Sequence, residues 1–325
     1  MNEEPTKQQI ETGGVRSGYS SSDASIVSLL RIRRWWRELG ALWAFGVREY
    51  RVWQSYRVNQ LLWLTNLFAT TCLFFLLGRT IENTAAQALG PAYGTNYMSF
   101  IVIGVTVNIF INTNLADPYT RIARSYFNGT MDLYLLSPMS IYTPLLGLMA
   151  KSIIDDYPRL FFAGGFGILL FGASFNFSAW LPALGFTVLL IGAGFGLGVI
   201  SASSFYLWDI KKGNEPVQFL IQQLLAQLLA GTYYPISVLP TPLRWLACAI
   251  PHTYAFDALR RLLDPNAQAD GAVLPLQLLL RGISPLAVDA LMLALLSLLL
   301  LPLGFYMYGL GIEKARREGT LTRWQ

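Results

Sequence analysis

The residues able to do chemistry in this 325-residue chain are few and sit apart from one another. Asp, Glu and His occur at no spacing that gives a paired acid and base, a metal-ligand set, or a nucleophile with its base. His252 is the single histidine, and its place among prolines fits a turn residue better than a proton relay. Cys72 and Cys248 suggest neither a disulfide framework nor a metal site. No GxxxxGK[ST] surrounds any of the five lysines, so this chain carries no loop to cradle nucleotide phosphates. What remains is polar but not catalytic. Lys151, Asp155 and Arg159 fall four apart, which puts cation, anion and cation on one helical face and leaves Asp156 off it. That face is either internal charge compensation or a latch. Thr106, Asn108 and Asn112, and then Gln218 and Gln222, place uncharged hydrogen-bonding groups inside apolar stretches, with Asn108–Asn112 and Gln218–Gln222 each one turn apart. Such groups either bond neighbouring helices or line a path for a solute.

The elements that carry these residues are set by composition. The chain is 54% hydrophobic and 13% charged, whereas soluble domains approach a quarter charged. That predicts an all-α polytopic membrane protein. The formal charge of +5 does not indicate a nucleic-acid partner, because Lys and Arg occur in short blocks beside apolar runs, as membrane topology requires. A bilayer core of about 30 Å takes about 20 apolar residues in a helix. Runs of that kind predict six spans, at 58–78, 97–116, 181–206, 217–233, 286–310, and one built around 160–172. The uncharged part of the last is too short, so its helix has to start early enough to include Lys151, Asp155, Asp156 and Arg159. Gly192, Gly194, Gly196 and Gly198 in the fourth span predict close helix packing. Together the spans define one transmembrane domain over 58–312.

Outside the spans, residues 1–25 are polar and rich in Ser and Gly, with no apolar core of a secretory signal, and read as a disordered tail. Over 26–57, Ile32, Trp36, Leu39, Trp43, Val47, Tyr50 and Trp53 recur at three- and four-residue steps, which predicts an amphipathic helix lying on the membrane surface. Between the second and third spans, a turn at Asn128-Gly129 precedes the short piece TMDLYLL, with Thr130 placed to cap it, Asp132 in its first turn and Ser137-Pro138 to end it. The stretch 231–263 holds Pro235, Pro240, Pro242 and Pro251 and two amphipathic pieces too short to cross. Backbone broken in this way cannot face lipid. The basic residues before the first span, Arg121, Arg124, Lys211, Lys212 and those of the tail 313–325 outnumber Arg79, Arg244, Arg260, Arg261 and Arg281 on the other side. By the positive-inside rule both termini are cytoplasmic and 231–263 is extracytoplasmic, in a plasma (inner) membrane.

Three of these stretches, in order on a six-span frame, resemble the permease subunits of type-2 ABC transporters. One is the basic helix before the first span. The second is Gly129-Thr130-Met131-Asp132, Leu135-Leu136 and Ser137-Pro138 in the cytoplasmic loop. The third is Gly231, Tyr234-Pro235, Leu239-Pro240, Pro251-His252-Thr253-Tyr254 and Arg260 after the fifth span. The likeness covers roughly residues 30–315. It implies that the loop from Gly129 is a coupling helix seated on a separate ATPase subunit, which would bind the ATP and Mg that this chain does not. It implies that 231–263 is a re-entrant hairpin closing the outer end of the path, carried by Tyr234, Pro235, Pro240, Pro251, Tyr254 and Arg260. It also implies a homodimer or paired permease, with the second and fifth spans at the dimer interface and Thr106, Asn108, Asn112, Gln218 and Gln222 along the path. The expected activity is export of a drug-like, lipid or other amphipathic compound by a transport subunit that is not itself an enzyme. A polysaccharide exporter stands as the alternative within the family, and a secondary transporter or channel outside it.

Overall fold

A chain segment with no water to bond its backbone closes its own i→i−4 hydrogen bonds, and the longest apolar runs here are helical. The computed structural model describes residues 39–44, 46–48, 50–89, 91–93, 97–136, 140–208, 227–268, 271–280 and 282–320, and among them it contains helices and turns but no strand. In chain order the helices are α1 (Arg57–Leu89), α2 (Tyr97–Phe127), α3 (Met131–Leu136), α4 (Thr143–Phe171), α5 (Trp180–Leu207), α6 (Thr241–Ala247), α7 (Pro251–Leu263), α8 (Pro275–Leu279) and α9 (Pro285–Arg317). Two stretches, Phe177–Leu207 and Pro285–Arg317, are both long and apolar enough to cross a membrane. The expected tail 1–25, most of the fifth run, Gln218, Gln222, Ser137 and Pro138 lie outside the described residues, as do the side chains of Lys151, Asp132 and Leu135.

The helices run beyond the uncharged stretches that predicted them. α2 continues through Asp117 and Pro118 to Phe127, so Arg121 and Arg124 sit on a helix where a loop was expected. The expected early start of the third span is found, and α4 begins at Thr143 with a proline in its first turn. Residues 39–44, 46–48 and 50–55 are helical, with Leu39, Trp43 and Tyr50 of the predicted apolar stripe exposed among the described residues.

α5 is the hub, packed between α2 on one side and α9 on the other. Its glycines explain how. A Cβ at Gly196 would stand 2.7 Å from the Leu300 carbonyl carbon on α9, and one at Gly304 would stand 2.7 Å from the Gly196 carbonyl oxygen, so the two backbones touch. On the opposite face a Cβ at Gly198 would meet the Asn114 carbonyl oxygen of α2 at 2.5 Å. The predicted close packing therefore holds on two faces at once. One apolar core lies around Ala255, Phe256 and Leu259 of α7. A second lies around Phe195, Phe205, Tyr119 and Tyr308 at the other end of α2 and α5. Outside, α9 turns Leu291, Leu295, Leu298 and Tyr306 away from the protein, with Leu298 79% exposed. A stripe of leucines of this length is stable against lipid, not water.

Candidate functional site

The prolines of the 231–263 stretch set its path. Pro235 (φ −70°, ψ 141°) leads into a single tight turn, Ile236–Val238, and Pro240 (φ −56°, ψ 148°) leads into α6. After Ile250, which is extended, Pro251 opens α7. α6 has seven residues and α7 thirteen, about 10 and 20 Å of helix, so neither can cross a bilayer. α6 leaves Leu243, Trp245 and Leu246 exposed, while every residue of α7 from Pro251 to Arg261 is buried. Tyr254 joins the two by donating its hydroxyl to the Cys248 carbonyl at 2.6 Å. Tyr234 is half-buried, Pro235 buried and Pro240 exposed.

Arg260 is a deeply buried charge of this region, 2% exposed. Its two terminal nitrogens donate to the Gly231 carbonyl at 2.7 Å and the Thr232 carbonyl at 2.6 Å. Residues 227–229 are helical, and the chain then bends at Gly231, φ +77°. A helix that stops inside a protein leaves carbonyls without partners, and the guanidinium fork supplies them. The same group lies 3.5 Å over the Phe100 ring of α2 and 5.3 Å from that of Phe256. Burial lowers the Arg260 guanidinium to about 10, still above neutral pH, so it stays charged. Gly104 on α2 makes room for it: a methyl there would collide with the Thr232 carbonyl oxygen and approach the guanidinium to 2.6 Å.

Sequence reading missed the rest of the cluster. Arg261 pairs with Asp257, one turn earlier, at 2.9 Å. Asp257 also accepts from the Tyr93 hydroxyl at 2.5 Å and from the Gln277 amide at 2.6 Å. The same amide donates to Asp289 of α9 at 2.7 Å, while the Gln277 oxygen accepts from the Val273 and Leu274 backbone. One buried network thus ties α7 to the turn before α2, to α8 and to α9. Burial alone would raise the Asp257 carboxyl; the Arg261 guanidinium and the hydrogen bonds made to the carboxyl together outweigh it and hold the group below its ordinary range. Two signals in the sequence pointed here. Asp257 and Arg261 are four apart, and Asp289 is the lone acid of an otherwise apolar run.

Of the residues expected along a path, Thr106 and Asn108 are buried inside the chain. The Tyr233 ring stacks on Phe74 at 4.6 Å. Asn112 donates back to the Asn108 carbonyl at 3.0 Å. Thr106 Oγ1 and Asn108 Oδ1 have no partner among the described residues. The structure therefore gathers α2, residues 231–233, α6 and α7 into one region, and the loop from Gly129 stands apart from it. Phe100 and Phe127 are separated by about 40 Å of α2.

At that far end α2 closes with Gly129 at φ +67°, the Gly129 amide bonding to Tyr126 and the Thr130 amide to Ser125 at 2.9 Å. This is a Schellman turn, which needs a residue free to adopt the left-handed region. Thr130 was expected to cap α3. Its hydroxyl donates backward to the Ser125 carbonyl at 3.3 Å, so it helps finish α2. Met131 is buried in the second core, and α3 then holds Leu133 and Leu136 out at 68% and 84% exposure. Arg159 lies 4.7 Å over the Trp63 ring of α1, while the side chains of Lys151, Asp155 and Asp156, expected on or beside its face, lie outside the described residues. Among the described residues no three His, Cys, Asp or Glu converge as metal ligands, and both cysteines are free. In comparison with known proteins, no family model matches the chain and no curated protein matches it.

Proposed function

We propose that this chain is the membrane-spanning permease subunit of an ATP-driven exporter, coupled to a separate ATPase subunit and working as a dimer or pair. The observation that carries the reading is α3. A six-residue helix, fixed by a Schellman turn and anchored by Met131, holds two leucines three residues apart into solvent. Leu133 and Leu136 are exposed among the described residues and suit a groove on another protein. The length of α1, α2 and α4, each 29 residues or more, supports six spans when they are taken with α5, α9 and the run at 217–233. The short, broken α6–α7 unit then lies at the opposite end as a re-entrant outer gate. ATP-driven closure of two ATPase subunits would push on α3, and α2 would carry that displacement to the gate as a rigid element. The cargo is a drug-like, lipid or otherwise amphipathic compound.

The test is co-expression with the ATP-binding-cassette ATPase encoded nearest to it, with purification through a tag on the permease alone. The ATPase is expected to co-purify, and Leu133→Asp with Leu136→Asp is expected to abolish co-purification while the elution profile of the permease is unchanged. Failure of any ATPase to bind the unaltered chain overturns the reading and favours a secondary transporter or channel.

A further inference from the structure

A cleft of about 710 Å³ opens between the end of the N-terminal helical segment, α1, the last turns of α2 and the middle of α4. Arg121 and Arg124 line it from α2 and Arg159 from α4, with Trp53, Tyr56 and Trp63 among its walls. Arg121 and Arg124 are three apart, so their guanidiniums leave α2 on one side. Arg159 is oriented by its stack on Trp63 at 4.7 Å.

The level of the cleft is set by the sequence. Each of the three helices changes from charged to apolar there: α1 after Arg57, α2 on the near side of Asp117, α4 after Arg159. Three arginines and three amphipathic aromatics at that boundary sit where a bilayer keeps its phosphates. Guanidinium forks suit phosphoryl oxygens, which offer several acceptors to more than one arginine at once. The aromatic wall favours a ligand that has a tail in the membrane. The volume falls in the range of small-molecule sites, larger than a lone phosphate fills.

We propose that this cleft binds the anionic, phosphate-bearing headgroup of a lipid from the cytoplasmic leaflet. The inference rests on the chain's placement in a bilayer, not on the transport reading. Its test uses the whole chain, purified and delipidated in detergent, with native mass spectrometry to count retained lipid. The probes are dihexanoyl phosphatidylglycerol, dihexanoyl phosphatidylcholine and inorganic phosphate. Phosphatidylglycerol is expected to bind in preference to phosphatidylcholine. Arg121→Gln with Arg124→Gln is expected to weaken it about 30-fold, from about fivefold per arginine at a membrane surface. Arg121→Lys with Arg124→Lys, which keeps the charge and loses the fork, should fall between, and Arg316→Gln, outside the cleft, should change nothing. Displacement of the bound lipid by inorganic phosphate would support the phosphate chemistry and make a soluble phosphate compound the source; lack of displacement supports the lipid. Equal binding of the two lipids, or phosphatidylglycerol binding that the arginine changes leave untouched, overturns the proposal.

Discussion

Arg260 shows how a charge is kept inside an apolar fold. It is held by two backbone carbonyls and two aromatic rings, and each contact depends on a fixed guanidinium plane. Arg260→Ala should cost about 3 kcal/mol or more, because two carbonyls lose their donor in the interior. Arg260→Lys should recover only part of it, since one ammonium cannot form the fork. Thermal unfolding in detergent reads both. Gly104→Ala acts on the same spot from α2, and a fall in stability of about 1–3 kcal/mol is expected because the backbone oxygen it meets cannot swing away. His252 gives a pH signature. It is fully buried with neither ring nitrogen partnered among the described residues, and burial lowers it to about 4. The unfolded chain therefore binds the proton more readily between about 6.5 and 4, so the stability held above 6.5 is lost as pH falls through that window, by up to about 3 kcal/mol. His252→Leu should flatten the fall in melting temperature between pH 7 and 4; an unchanged slope would show that the ring is not buried neutral.

Among the elements, α5 depends most on having no side chains where it meets its neighbours. Gly196→Leu places a branched side chain against the Leu300–Leu301 backbone, where a single Cβ already approaches to 2.7–2.9 Å. Separation of α5 from α9 is the expected result, seen as loss of a monodisperse peak on size-exclusion chromatography. Gly164→Leu on α4 has nothing within 4 Å of its Cβ position and should be tolerated. α3 is the contrasting element. It is too short to hold a helix by itself. Its geometry comes from the Schellman turn at Gly129 and the buried Met131, so Gly129→Ala should loosen it by about 1 kcal/mol without touching the exposed leucines.

At the scale of the whole molecule, the six-span reading makes one prediction that no local contact can imitate. In a Cys72→Ser, Cys248→Ser background, cysteines placed at Leu133 and at Thr320 should react with a membrane-impermeant maleimide from the same side of inverted vesicles, and one at Asn266 only from the opposite side. Leu133 and Asn266 on one side would remove the path from α3 to the hairpin. Much of this organisation was legible beforehand, because it follows from local rules. Length without charge gave helices, prolines gave the breaks around α6 and α7, and Gly129 gave the turn before α3. The glycine run of α5 gave close packing from its composition alone. The site was only partly legible. Arg260 was marked out by the motif it stands in, but not its partners, since Gly231 and Thr232 contribute through their carbonyls, which every residue has. Asp257, Gln277, Asp289 and Tyr93 are far apart along the chain, and only the packing of α7 against α8, α9 and the turn before α2 brings them together. The gathering of Arg121, Arg124 and Arg159 in one cleft likewise depends on how α2 and α4 lie against α1. Sequence by itself determined where the chain must be helical and where it must break, because those choices are settled by neighbouring residues and the surrounding medium. Which polar groups share a buried space was decided by tertiary structure, because hydrogen bonds and ion pairs act over about 3 Å and sequence distance does not constrain them.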